Sequence, residues 1–385
     1  MDDQKLKELQ GKLDGELHYD KVMRTLYATD ASAYREMPMA VSIPKSEKDL
    51  FELVNFAREN KVSIIPRTAG TSLAGQVVGA GIIVDVSVNF REILEVNKEE
   101  HWVRVHPGVI RDDLNRFLAE HGLFFGPETS TSSRCMVGGM VGNNACGARS
   151  VIYGSTRDHL LEVHAILSDG TKAVFKDISA QELLNKANGI GVVGEIENQI
   201  YFDIREMLSN EENRAEIERE FPKKSIPRRN TGYAIDLLSD SKPFNETGDD
   251  FNFCKLIAGS EGTLCLITEI KINCVPVLPK DSAMMCPHFT SIDESLRATL
   301  VALKHNPSQV ELMDDIVLEC TKSNPEQREN RVFVNGDPKA LLMIELHRDS
   351  PEELDEALKA LEADFKAAGL GYDYPVLKGS DVNKA

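Results

Sequence analysis

Residues Pro66-Arg67-Thr68-Ala69-Gly70-Thr71-Ser72-Leu73-Ala74-Gly75-Gln76 lie between two apolar runs, Val62–Ile65 and Ile82–Val86, and have the make-up of an anion cradle. Pro66 has no N–H to give a sheet and is expected to end the first strand. Gly70 and Gly75 let successive backbone N–H groups turn toward one point. Three familiar patterns do not fit. A dinucleotide-binding turn opens a helix, whereas Val77-Val78-Gly79-Ala80-Gly81 leads into a β-branched strand. A Walker loop needs Lys and then Ser/Thr where Gln76 and Val77 stand, and a nucleophile elbow around Ser72 lacks its helix. Two readings remain: an anion held by backbone alone, or a plain glycine-rich connector.

Two further segments share this character. Cys135-Met136-Val137-Gly138-Gly139-Met140-Val141-Gly142-Asn143-Asn144-Ala145-Cys146-Gly147-Ala148-Arg149, followed by Tyr153-Gly154-Ser155, holds more glycine than a packed element tolerates cheaply, so the backbone is expected to approach something closely. Asn143 and Asn144 offer both donors and acceptors to a heteroaromatic ring. Ile257-Ala258-Gly259-Ser260-Glu261-Gly262-Thr263 reads, alone, as a hairpin turn between two strands. Together the three segments point to one large, flat, phosphorylated ligand.

The elements around them follow from periodicity. Short helices are expected in residues 1–27, then strand Ala40–Ile43, a helix Ser46–Asn60 capped by Ser46, and strands Val62–Ile65, Gly81–Asp85 and Trp102–Val105. A helix Arg111–His121 places Leu114, Phe117 and Leu118 on one face, and 126–156 reads as a long functional loop. Leu160–Leu167 and Lys172–Phe175 form a hairpin at Asp169-Gly170, and an acidic, helix-prone insert fills 179–224, ending at Pro222 and Pro227. Asn230–Leu238 and a polar break at 239–252 lead to the strand pair Cys254–Ala258 and Leu264–Cys274. Beyond 280, strand Ser282–His288, helix Ile292–His305, strands Gln309–Met313 and Leu341–Leu346, helix Pro351–Ala368 and an edge strand near 371–376 resemble a ferredoxin-like layer.

At 385 residues the chain can build two or three domains, and its net charge of −18 opposes sequence-independent binding to nucleic acid or anionic lipid. Local arginines would have to attract an anionic ligand. Seven cysteines, none in a C-x-x-C pair, read as free thiols rather than metal ligands. The charged N-terminus and the lack of a long apolar run imply a soluble, cytoplasmic protein with no membrane span.

Pro66–Gln76, the Pro107-Gly108 turn, Gly126-Pro127 with Thr129–Ser133, Gly138–Gly147, Tyr153-Gly154, Arg229-Asn230-Thr231-Gly232-Tyr233 and Gly259–Thr263 with Ile267 together resemble the FAD-binding domain of the vanillyl-alcohol oxidase / p-cresol methylhydroxylase superfamily. The likeness covers roughly 38–276 and is greatest to the D-lactate and D-2-hydroxyglutarate dehydrogenase branch. It implies an α+β fold: a helical arm (1–37), a PCMH-type FAD-binding domain (38–278) of two α+β subdomains meeting near 105, and part of a ferredoxin-like cap (279–385). By the same resemblance, Arg67, Thr68, Ala69, Gly70, Thr71, Ser72, Leu73, Gly75 and Gln76 take the pyrophosphate through main-chain amides, and Pro66 joins them among the cofactor-binding residues. Pro107, Gly108, Pro127, Thr131, Gly138, Gly139, Gly142, Asn143, Asn144, Ala145, Gly147, Tyr153, Gly154 and Asp158 line the rest of the FAD. Gly262, Thr263 and Ile267 close over its isoalloxazine or adenine end. Many relatives bind the flavin covalently through a His of the first loop; none is present here, so non-covalent FAD is expected.

The resemblance also implies a reaction, hydride transfer from a D-2-hydroxy acid (lactate, glycolate or 2-hydroxyglutarate) to flavin N5. A flavin-dependent sugar or alcohol oxidase, or an FAD-binding module inert in isolation, are the alternatives. Asn230 and Tyr233 are expected on the substrate-facing wall, and Arg229 could pair a carboxylate, its alternative being a solvated face. The late His-x-x-x-x-x-x-His motif of such caps is missing: His347 is the only histidine after 305, so no metal is expected. The short cap, and the likeness of Tyr27-Ala28-Thr29-Asp30-Ala31-Ser32 with Pro38 to a subgroup carrying a C-terminal iron–sulfur domain, imply an N-terminal piece of a longer enzyme, with that domain as a candidate electron acceptor.

Overall fold

In the computed structural model, residues 3–226, 228–230 and 232–382 are described; Pro227 and Thr231 lie outside them. Helix Glu47–Asn60 starts where the Ser46 side chain accepts a hydrogen bond from Asp49 N, and it ends at Lys61 in the left-handed conformation (φ 54°). Its Leu50, Leu53 and Val54 pack on a sheet ordered Glu16–His18, Ala40–Ile43, Ile82–Asp85, Ile64–Arg67. Strand Ile82–Asp85 is buried at every position, as expected for a strand with parallel neighbours on both sides.

The edge strand is displaced from expectation. It runs Ile64–Arg67, so Pro66 sits inside it, paired with Val84. At the edge a residue without an N–H loses no ladder bond if that side faces outward, which is why proline did not end the strand. The N-terminal arm likewise is not wholly helical: between helices Asp3–Gln10 and Lys21–Leu26, Glu16–His18 pairs antiparallel with Ala40–Ile43.

The second sheet is antiparallel and ordered Ile93–Asn97, Trp102–Val105, Leu266–Asn273, Leu160–Ile166, Lys172–Phe175. Strand Leu266–Asn273 alternates strictly between buried and half-buried residues. Its inner face packs with Leu114 and Leu118 of helix Arg111–Ala119, and with Tyr201 and Leu208 of the insert, whose helices are Ala180–Ala187, Glu195–Ser209 and Glu211–Glu220.

Two expectations are corrected. Within 126–156, residues Val137–Asn143 form a helix despite their glycines. Cys254–Ile257 is a helical turn, not a strand, started by the Asn252 side chain accepting from Cys254 N at 2.8 Å. A four-residue apolar run has no period by which strand and helix can be told apart, so Gly259–Thr263 joins helix to strand rather than strand to strand.

By contacts the chain divides into two compact units, one of Met1–Cys146 with Ser155–Pro276, the other of Gly147–Gly154 with the chain from Val277 onward. The second unit holds a sheet ordered His288–Phe289, Ala340–Arg348, Asp281–Met285, Val376–Lys378, with Gln309–Asp314 also paired to Ala340–Arg348. Helices Ile292–Ala302 and Pro351–Ala367 bury Ala298, Leu358 and Phe365 against Ala283, Leu342 and Ile344. Leu318, from an unanticipated helix Asp315–Ser323 capped by Asp314, packs with Met284 and Leu341. The expected strand Ser282–His288 is split at Cys286-Pro287, and the last strand falls at Val376–Lys378 rather than 371–376. The class is α+β throughout.

Candidate functional site

The site lies in the first unit and begins where strand Ile64–Arg67 enters the glycine loop. Arg67 O accepts from Val86 N at 3.0 Å and Gly70 O from Ala31 N at 3.1 Å, while Gly70 and Gly75 take φ of 64° and 76°. The amides of Ala69, Gly70, Thr71, Ser72 and Leu73 meet no protein acceptor among the described residues. Five successive amides without a protein acceptor leave the loop free to donate to an anion. The Arg67 guanidinium backs this loop. It donates to Thr29 O at 3.0 Å, lies 5.0 Å from the centre of the Tyr27 ring, and would sit 3.0 Å from a Cβ on Gly70. Tyr27 in turn donates to Asp85 Oδ2 at 2.6 Å, and burial together with that carboxylate raises its pKa.

The other two glycine segments close on the first. Gly138 N donates to Pro107 O at 2.8 Å, and a Cβ there would stand 2.5 Å from the Pro107 side chain. A Cβ on Gly139 would stand 2.7 Å from Thr68 Oγ1. Both glycines are therefore required by space, which is why a glycine-rich stretch can still be a helix. Glu261 N donates to Gly142 O at 2.9 Å and Gly259 N to Val141 O at 3.0 Å. Gly262, at φ 74°, would bring a Cβ within 3.4 Å of Pro66. Asn143 Nδ2 donates to Glu261 Oε1 at 3.2 Å; burial raises the Glu261 pKa, against hydrogen bonds from Asn143 and Gln76. The Pro107-Gly108 turn is held by Gly108 N donating to Phe90 O at 2.7 Å.

Several of the expected site residues also hold bonds within the protein. The Asn144 amide is fully buried, accepting from Arg157 N at 2.8 Å and donating to Asn230 Oδ1 at 3.2 Å. Ala145 O accepts from Thr156 Oγ1 at 2.7 Å, and Asp158 accepts from Ser155 N at 2.7 Å in a capping box. Pro127 O accepts from Arg111 at 3.2 Å, Thr131 N donates to Thr129 Oγ1 at 3.3 Å, and Ile267 is paired with Ala165 in the sheet. Arg229 donates to Asp236 Oδ2 at 2.5 Å and to Pro222 O at 3.2 Å, so its guanidinium already has a carboxylate and is not a solvated face. Tyr233 is 47% exposed, with its hydroxyl on Thr263 Oγ1. Gly147, Tyr153 and Gly154 belong to the second unit, where Gly154 (φ 64°) ends the short helix Ser150–Tyr153.

Two residues of this neighbourhood escaped the sequence reading. Glu261 sits between Asn143 and the Gly142 carbonyl. Arg157 is 3% exposed and donates to Gly232 O at 2.7 Å and to Ala258 O. Its signal in the sequence was weak, since its partners are distant carbonyls rather than acidic side chains.

Comparison with known proteins gives this geometry a context. Residues 38–175 match the FAD binding domain family and residues 278–376 the family of C-terminal domains of FAD linked oxidases. D-2-hydroxyglutarate dehydrogenase of Pseudomonas putida is 34% identical over 370 residues, 93% of this chain and 35% of that protein. The glycolate oxidase subunit GlcD of Bacillus subtilis is 24% identical over 345 residues, 88% of this chain and 58% of that protein. The chain thus spans about a third of the length of the D-2-hydroxyglutarate dehydrogenase it matches. Solved structures share the fold: alkyldihydroxyacetonephosphate synthase (TM-score 0.65, 15% identity, 98% of this chain and 61% of that one) and p-cresol methylhydroxylase (0.65, 11%, 98% and 66%). The open amides of Ala69–Leu73, and glycines that let the three segments approach closely, fit a dinucleotide cofactor. The chain belongs to the FAD-linked oxidase superfamily, with FAD as its cofactor, an FAD-binding domain over 38–175 and the superfamily's C-terminal domain over 278–376.

Proposed function

We propose that this chain is the flavin-binding part, with a portion of the cap, of an FAD-dependent dehydrogenase that oxidises a D-2-hydroxy acid of the lactate, glycolate or 2-hydroxyglutarate type. The observation that carries the reading is the meeting of the three glycine segments around five open amides. Bound FAD supplies the hydride acceptor. Ala69–Leu73 hold the pyrophosphate, and the Arg67 charge behind the loop offsets its negative charge. Asn230 and Tyr233 face the substrate, while Arg229, tied to Asp236, braces that wall rather than binding the substrate carboxylate.

FAD is held non-covalently, since the loop has no histidine to bond it. Electrons leave to an acceptor other than a nicotinamide, with an iron–sulfur domain of a longer polypeptide as the candidate, in keeping with the greater length of the relatives. Among the described residues no helix is long and apolar enough to cross a membrane, and the reading places the protein in the cytoplasm. An absorbance spectrum of the purified protein tests the cofactor: flavin bands are expected, released to the supernatant by acid precipitation. Anaerobic bleaching with a panel of hydroxy acids and sugars tests the reaction. Bleaching by sugars alone, or flavin that stays with the precipitate, would overturn the corresponding part.

A further inference from the structure

Arg157 is a buried cation that no ion pair neutralises among the described residues. It is 3% exposed, and its Nε has no hydrogen-bond partner there. Two carboxylates act on it electrostatically without reaching ion-pair distance: Asp158, which is exposed and held by Ser155, and Asp236, which is paired with Arg229. Its hydrogen bonds tie together segments far apart in the chain. The backbone N–H holds Asn144 Oδ1 at 2.8 Å, Asn144 holds Asn230 at 3.2 Å, and Nη2 bridges Gly232 O at 2.7 Å and Ala258 O. A Cβ on Gly259 would stand 2.6 Å from that nitrogen, so the turn has room for the guanidinium only because it is glycine.

We infer that Arg157 is a positioning residue of the FAD site, and that its unneutralised charge raises the reduction potential of the bound flavin. The inference rests on the FAD reading above. Flavin gains negative charge when reduced, so a cation fixed in a poorly hydrated surround favours the reduced form. The same guanidinium ties Gly232 to the Gly259–Thr263 turn, because the two N–H groups of Nη2, fixed in the guanidinium plane, reach one carbonyl on each side.

The two roles separate in two variants, R157K and R157Q, measured as apoprotein titrated with FAD and then by redox titration of the loaded protein. R157K keeps the charge and loses the planar Nη2 that reaches both Gly232 O and Ala258 O: FAD should bind roughly tenfold more weakly with the potential unchanged. R157Q loses the charge: the potential should fall below that of the wild type. Wild-type affinity in R157K would overturn the positioning role, and a wild-type potential in R157Q would overturn the electrostatic one. If R157Q does not fold, R157K decides alone, since a fallen potential there would refute the charge argument. A wild-type protein that binds no FAD would instead sink the cofactor reading itself.

Discussion

Glu345 offers the most quantitative test of the second unit. It lies on strand Ala340–Arg348, is 5% exposed, and accepts from Ser308 Oγ at 2.7 Å and Arg149 Nη2 at 3.2 Å, while His347 Nε2 lies 3.3 Å away. His347 Nδ1 faces Pro279 O at 2.8 Å, while Nε2 lies within ion-pair distance of Glu345 without an aligned hydrogen bond, so both neighbours favour the charged ring. Burial opposes the charge on Glu345, but His347, Arg149 and Ser308 outweigh it and bring its pKa from 4.5 to about 2. Burial opposes the charged ring too, and Glu345 with the Pro279 carbonyl outweighs it, raising the His347 pKa above 6.5. The signs are opposite. The Glu345 contribution is full above 4.5 and lost as pH falls toward about 2; the His347 contribution is full below 6.5 and lost as pH rises through its raised value. The network therefore stabilises most between these limits. At about 1.4 kcal/mol per pKa unit the carboxylate contributes at most about 3 kcal/mol, similar to the cost of removing one partner of a buried pair. E345Q should lower the stability of this unit by about 2–3 kcal/mol near pH 5.5 and by less near pH 3. Urea unfolding followed by far-UV CD is the assay, because the single tryptophan, Trp102, reports on the other unit. A loss in E345Q that is the same at every pH would refute the reasoning.

Other outcomes follow from single contacts. G139A should weaken FAD binding roughly tenfold in a flavin titration, because its Cβ meets Thr68 Oγ1 at 2.7 Å; G122A, with nothing within 4 Å, should cost stability through its φ of 72° but leave affinity unchanged. Y27F removes the donor to Asp85, itself 5% exposed, and should cost about 1–2 kcal/mol in denaturant unfolding followed by Trp102 fluorescence. His288 is buried, bonded through Nδ1 to Cys286 O at 2.8 Å and accepting from Asn335 N at 3.1 Å, and burial lowers its pKa. Its stabilisation is present above 6.5 and lost as pH falls, so H288Q should flatten the acid side of the stability profile; an unchanged slope would count against a neutral ring.

Much of the first unit was legible because its signals are local. Ser46 before an apolar stripe and Asp169-Gly170 between alternating strands each specify one element through nearby residues. The errors arose where a neighbour distant in sequence decided the outcome. Pro66 stays in a strand because the sheet places that strand at its edge, a fact set by the partner Ile82–Asp85 rather than by Pro66 itself. Helix Val137–Asn143 was hidden for a related reason. The glycines read as a backbone that approaches something closely, and Gly138 and Gly139 do mark the closeness of Pro107 and Thr68; what composition does not show is that a helix, and not only a loop, carries that approach.

The same distinction separates the parts of the site that were read from those that were missed. Glycine and small polar residues let amides converge, and composition singled out three segments that the structure brings together. Arg157 has no such signature, because its partners are carbonyls of residues 232 and 258. Yet its presence answers a difficulty posed by the composition. A chain of net charge −18 repels an anionic cofactor at long range, and salt screens that repulsion beyond about 10 Å. What attracts the cofactor must then act at short range, from charges kept out of ion pairs. Arg67 behind the glycine loop and Arg157 beneath the Gly259 turn meet that condition: each spends its hydrogen bonds on backbone carbonyls, which satisfy its donors without cancelling its charge.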